Sequence, residues 1–239
     1  MQTATSSTAQ PGSARLIGLV MSLFFAFGFC TVLVDTIIPK LKATFALDYA
    51  EVMLTQFCFF GAYFIVSLPA AWLLSRIGYL QGVVVGLLLM AAGCLLFTPA
   101  ANAGIYPGFL GALFILAAGV TIVQVAANPL ATSAGDPKRA SARLTLAQAF
   151  NSFATFVGPF FGATFILAGT LSTPDASKLS PEALAAARRQ AAEVFHLPFL
   201  GIAAALILMA VLCWMVRRWA PRSETVSYTH LTLPTILRV

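Results

Sequence analysis

The chain has 239 residues, of which 59% are hydrophobic and only 9% charged, and its mean hydropathy is +0.90. Soluble domains carry roughly a quarter charged residues, so this composition excludes a soluble core. The net charge of +6 does not point to nucleic acid, because the basic residues lie in short loops between apolar runs and build no basic face.

Residues 1–14 are a Ser/Thr/Ala-rich segment, expected to be a disordered cytoplasmic tail. Apolar runs of about 20 residues, enough to cross a bilayer core, then predict six spans, at roughly 16–38, 51–74, 82–98, 107–129, 143–169 and 197–216. The first run is too long for a signal peptide and has no small-x-small cleavage site, so it is expected to stay as the first helix. One set of loops carries Arg15, Arg76, Lys138, Arg139, Arg143, Arg217 and Arg218, with Asp136 as acidic company. The opposite loops mix Lys40, Lys42, Lys178, Arg188 and Arg189 with Asp48, Glu51, Asp175, Glu182 and Glu193. By the positive-inside rule both ends are expected in the cytoplasm.

The loop at about 170–196 contains Ser180-Pro181 followed by an alanine-rich run. A capping serine, a proline at the first helical position and good helix formers predict a short external surface helix there. The transmembrane unit is thus expected over 15–220, with a cytoplasmic tail over 221–239. Within that tail, 226–239 has neither the length of a span nor a loop-like role. It reads as an artefactual extension of a truncated gene and is set aside with His230. His196, at a loop-to-helix junction, reads as interfacial.

Polarity is unevenly shared. The third and sixth spans contain almost only aliphatic, aromatic, Gly and Cys residues. The first and fourth carry Asp35, Gln124 and Asn128, and the second and fifth carry Gln56, Gln148 and Asn151. The recurrence with a period of three helices suggests two equivalent three-helix units, as in transporter repeats whose inner helices line a site. Cys30, Cys58, Cys94 and Cys213 sit singly in apolar runs without Cys-x-x-Cys spacing, which suits small buried hydrophobes and gives no metal or disulfide framework.

Asp35 alone of the eight acidic residues lies in a hydrophobic context, Val32-Leu33-Val34-Asp35-Thr36-Ile37-Ile38. A carboxyl in such surroundings is a candidate proton carrier, because burial penalises its charged form. Gln124 and Asn128 are four apart and share a helix face, where amides need protein or water beside them and not lipid. Pro129 removes a backbone donor, which would free a carbonyl near Val125. Gln148, Asn151 and Thr155 form a stripe at spacings of three and four. With Gln56 and Tyr63 these amides suit sugar hydroxyls, since an amide both donates and accepts and an aromatic stacks on a pyranose face. Each also has the plainer role of interhelical glue. Arg76 in Arg76-Ile77-Gly78-Tyr79 is either a gating charge or a topology signal. The chain has no metalloprotease helix, nucleophile elbow or phosphate-binding glycine loop, which argues against an enzyme.

The segments Asp35–Lys42, Gln56–Phe64, Ala126-Ala127-Asn128-Pro129 and Arg143–Ser152 together resemble the fucose/glucose/galactose–proton symporter branch of the major facilitator superfamily, over about residues 15–220. The resemblance implies an all-α membrane protein whose six helices, as two inverted three-helix repeats, form the amino-terminal half of a twelve-helix fold. It implies that Asp35 couples proton and sugar movement and that Asn151 lines the sugar site. Gln124 falls where fucose-transporting members have a glutamate, which favours glucose/galactose-like relatives. The expected partners are a hexose, protons, the lipid bilayer and the missing six-helix half, with no cofactor, no metal and no nucleic acid. The expected place is a bacterial inner membrane. A membrane sugar sensor without transport, a membrane-embedded enzyme on lipid-linked sugars and an inactive fragment are the alternatives.

Overall fold

In hydrocarbon a backbone must satisfy its own hydrogen bonds, and for a chain of apolar runs that leaves the helix. The computed structural model describes residues 11–45, 47–103, 106–164 and 181–216. They form α1 (Pro11–Phe45), α2 (Tyr49–Ile77), α3 (Tyr79–Ala103), α4 (Tyr106–Ser133), α5 (Ala140–Gly162) and α6 (Pro181–Val216), with a 3-10 turn at Pro137–Arg139 between α4 and α5. No strand occurs among the described residues. Lys178, Asp175, Arg217, Arg218 and the whole of 221–239, with the expectations placed on that tail, lie outside the described residues.

Several helix ends are written in residues that first read as loop charges. Asp48 accepts from the Glu51 amide at 2.7 Å, and the Glu51 carboxylate accepts from the Asp48 amide at 3.0 Å. This reciprocal capping box starts α2. Gly78 ends the same helix at φ 82, a left-handed conformation that favours glycine, and donates to the Leu74 carbonyl. Asp136 accepts from the Lys138 amide and so starts the 3-10 turn.

Three boundaries differ from expectation. α1 begins at Pro11, inside the stretch 1–14 read as a disordered tail. Proline suits a first helical turn because its missing donor is unneeded there. The external helix and the sixth span are one continuous helix, Pro181–Val216, which passes through Pro198. The alanine-rich run has no breaker other than that proline, and one lost backbone bond is tolerated in a long helix of good formers. The fifth span starts as a helix at Ala140, ahead of the expected 143. Over its described residues it is not one of the five helices long and apolar enough to cross a membrane, and 165–169 of the expected span lie outside them. Arg143, Gln148, Asn151 and Ser152 reduce its hydrophobicity. Beyond its first turn each of the six helices contains one proline, namely Pro39, Pro69, Pro99, Pro129, Pro159 and Pro198. α4 runs on past Pro129 to Ser133 without a break.

α4 is the spine of the bundle. Its buried face runs from Phe109 to Ala131, and it touches α2, α3, α1 and α5. The α3–α4 contact is antiparallel and built on glycine. A Cβ added at Gly93 would meet the Leu116 backbone nitrogen at 2.6 Å, and one at Gly119 would meet the Met90 nitrogen at 2.5 Å and the Gly86 carbonyl at 2.7 Å. Small residues let the backbones approach this closely. α1 packs parallel to α5, with Val32 over Gly158 and Thr36 over Gly162. α2 packs parallel to α4, with Thr55 on Tyr106 and Cys58 donating to the Leu110 carbonyl. Exchanging helices one to three with four to six maps the first parallel pair onto the second, as the recurring polarity of the sequence suggested. Cys30, Cys94 and Cys213 are buried and Cys58 partly so, as small hydrophobes.

α2 and α5 leave much apolar surface uncovered. Phe57, Phe64 and Leu68 on α2 are 74%, 82% and 79% exposed, and Phe153, Phe156 and Phe160 on α5 are exposed as well. Such area on a folded chain belongs against lipid or another protein.

Candidate functional site

The polar groups of the helices sort into two levels along the bundle. At one level Asp35, near the end of the apolar part of α1, accepts from Gln56 Nε2 of α2 at 3.2 Å. Asp35 is exposed and Gln56 half-buried, yet the other amide atom, Gln56 Oε1, is buried with no partner. Beside this pair the Tyr106 hydroxyl of α4 donates to the Glu51 carbonyl at 2.6 Å and lies 2.8 Å from the Thr55 hydroxyl. Val34, Thr55, Phe97, Tyr106 and Phe109 close around a small hollow there. α1, α2 and α4 are therefore stitched together at the level of the carboxyl.

The second level lies towards the other end. Asn151 of α5 packs its side-chain oxygen directly over Gly28 of α1, where any side chain would collide with it. Asp35 is seven residues beyond Gly28, about 10 Å along the helix at 1.5 Å per residue. Gln148 lies five residues from Arg143 and Gln124 seven from Ala131, about 8 and 10 Å from the Arg143–Ala131 bond. The two amides thus stand at similar depth on neighbouring helices. Gln124, Asn128, Gln148 and Asn151 make no side-chain hydrogen bond to other described residues. Gln124 and Asn151 are half-buried, and Asn128 and Gln148 exposed. Tyr63, half-buried on α2, faces Thr31 of α1 and lies tilted against Phe59 with ring centroids 5.3 Å apart. The structure therefore pairs Asp35 with Gln56, places Asn151 against Gly28 nearer the opposite end, and shows no hydrogen bond between the carboxyl and the other amides.

Arg143 was legible only as a positive-inside charge. It is 8% exposed, and its guanidinium donates to the carbonyls of Ala131 at 3.1 Å, Thr132 at 2.6 Å and Asp136 at 2.7 Å. The end of a helix leaves carbonyls unpaired, and a buried cation satisfies them and complements the dipole. It fixes the α4–α5 turn and hence the depth of Gln148 relative to Gln124. The available signal was an arginine placed ten residues after the end of a proline-bearing helix, with a Gly-Asp turn between. Arg76 lies 4.4 Å over the ring of Trp72 on its own helix. His196 is exposed on α6. Among the described residues no cluster of three His, Cys, Asp or Glu is placed to hold a metal.

A family profile described as the Major Facilitator Superfamily matches residues 19–236. The chain belongs to that superfamily. This facilitator chain is 50% identical over 213 residues to a glucose/galactose transporter of Brucella abortus, covering 89% of itself and 48% of the relative. It is 36% identical over 208 residues to the L-fucose-proton symporter of Escherichia coli, covering 86% and 48%. It superposes on the crystal structure of an MFS transporter, FucP, in the outward conformation, with a TM-score of 0.76 and 34% identity, over 85% of itself and 50% of that chain. A second crystal structure of the fucose:proton symporter matches with a TM-score of 0.75. The chain spans about half the length of the curated relatives it matches. It is a multi-pass membrane protein with the fold of one half of a facilitator.

Proposed function

We propose that the chain is the amino-terminal six-helix half of a carrier, not an enzyme, that takes up a hexose of the glucose/galactose type together with a proton. The observation that carries this reading is the 50% identity, over nearly the whole chain, to a glucose/galactose transporter, joined to likeness to a proton symporter. In it Asp35 is the proton-coupling group, and Gln124, Asn128, Gln148 and Asn151, with Gln56 and Tyr63 beside them, contact the sugar. The second half supplies the facing wall, against the uncovered aromatic surface of α2 and α5. The place is a bacterial inner membrane with both termini in the cytoplasm.

Protonated Asp35 permits the outward-facing state to take sugar. Rocking of one half against the other then opens the amides to the cytoplasm, where loss of the proton resets the carrier. Such cycling requires that proton and sugar each bind one state better than the other. The test is uptake by a complete carrier containing this chain. Asp35→Asn should abolish accumulation driven by a proton gradient, bringing internal sugar down to the external level, and leave sugar exchange intact. Undiminished accumulation would end the role given to Asp35.

A further inference from the structure

The buried, unpartnered Oε1 of Gln56 is the one orphaned buried side-chain atom among the described residues, and its own amide nitrogen already touches Asp35. A carboxylate offers only acceptors and cannot satisfy that oxygen; a protonated carboxyl carries the donor it lacks. We propose that Gln56 is the positioning residue that holds the proton on Asp35, through a paired acid–amide contact. This rests on the coupling role given to Asp35 above. Water delivers the proton to Oδ2 of Asp35. That hydroxyl donates to Gln56 Oε1 while Nε2 goes on donating to Oδ1, so two parallel bonds join α1 to α2. On deprotonation one bond remains and the buried oxygen loses its donor.

The orphaned oxygen decides which form the pair favours. At 3.2 Å the Nε2–Oδ1 bond lies at the long end of the N–H···O range and can form to either state of the carboxyl, whereas only the protonated state brings a donor for the buried Oε1. Leaving a buried acceptor unpaired costs more than the mean worth of a bond. Among the described residues no other group nearby takes over the task. On α2 the Glu51 carboxylate is held in its capping box, and on α4 the Tyr106 hydroxyl is committed to the Glu51 carbonyl and Thr55. On α1 Lys42 lies 3.7 Å over the ring of Tyr49, and on α6 His196 is exposed. α5 meets this part of α1 with Gly158 and Gly162 and has no titratable group there. Asp35 makes no ion pair among the described residues.

The experiment is infrared difference spectroscopy of the full chain in lipid nanodiscs across pH, with Asp35→Asn identifying the carboxyl band. Gln56→Met and Gln56→Leu differ in shape and both lack the amide. Each should lower the pH midpoint of the Asp35 band by about one unit, a tenfold loss of proton affinity. A midpoint that stays in place or rises in both variants overturns the pairing. Where Asp35→Asn still abolishes driven accumulation in the carrier, that result leaves the coupling role standing. Intact accumulation in Asp35→Asn would fell the coupling role by itself.

Discussion

Exchanging helices one to three with four to six relates the α3–α4 contact to the α6–α1 contact, yet the two are packed in opposite ways. Between α3 and α4, Gly86, Gly93 and Gly119 bring backbone against backbone, and the seam is filled. Between α1 and α6 contact is sparse, and a hollow of about 260 Å3 lies among Phe29, Leu33, Phe161, Pro198, Gly201 and Ile202. Shared topology therefore does not carry shared packing. The glycines of the tight seam lie against backbone of the facing helix, whereas Gly201 of α6 has nothing within 4 Å of where a Cβ would stand and lines the hollow with Phe29 and Leu33. α1, which bears the carboxyl, is in consequence held mainly by α5, less by α4 and only sparsely by α6.

Breaking the tight seam should have the largest effect. Gly93→Leu sets a side chain against the Leu116 backbone, which cannot move aside as a flexible side chain would. Overpacking of this kind costs about 3 kcal/mol or more, and the variant should fail to give a monodisperse peak in detergent. A wild-type melting point would show that the helices slide freely there. Next comes Arg143→Met, which removes the guanidinium from three carbonyls of the α4–α5 turn and leaves those of Ala131 and Thr132 unpaired, while Asp136 keeps the Arg139 amide. A loss of about 2–3 kcal/mol follows from bonds donated by a charged group, read as a lower unfolding midpoint. Arg143→Lys keeps the charge but not the planar fork that reaches three acceptors. It should rescue less than half of that loss. Full rescue by lysine would return Arg143 to a mere topology signal.

That pair of arginine variants also marks what sequence could carry. Six apolar runs announced six helices, since length and hydropathy are additive along a chain. Asp35 stood out because a carboxyl in an aliphatic run is costly wherever it points. The Asp35–Gln56 pair was not legible, because the residues are 21 apart and which partner an amide meets depends on how α1 and α2 cross. The seat of Asn151 over Gly28 escaped for the same reason. Arg143 was read by charge alone, when its burial and its three carbonyl partners decide its role. The joining of the external helix to α6 was missed because the sixth apolar run begins only near residue 197, and hydropathy does not show that the helix continues from the alanine-rich run through Pro198.

The smallest effect sharpens the comparison of seams by sign. A Cβ at Gly201 meets nothing within 4 Å, and the residue lies within α6 beside the hollow. Gly201→Ala should therefore raise the unfolding midpoint, because alanine is favoured over glycine inside a helix by about 1 kcal/mol and the added methyl enters empty space. The identical change at Gly93 should lower it, since there the same methyl meets backbone at 2.6 Å. Helix propensity is equal in the two variants, so a difference of sign isolates packing as its cause. Equal and favourable shifts at both positions would mean that the α3–α4 seam has room to spare, and the contrast between the two contacts would vanish.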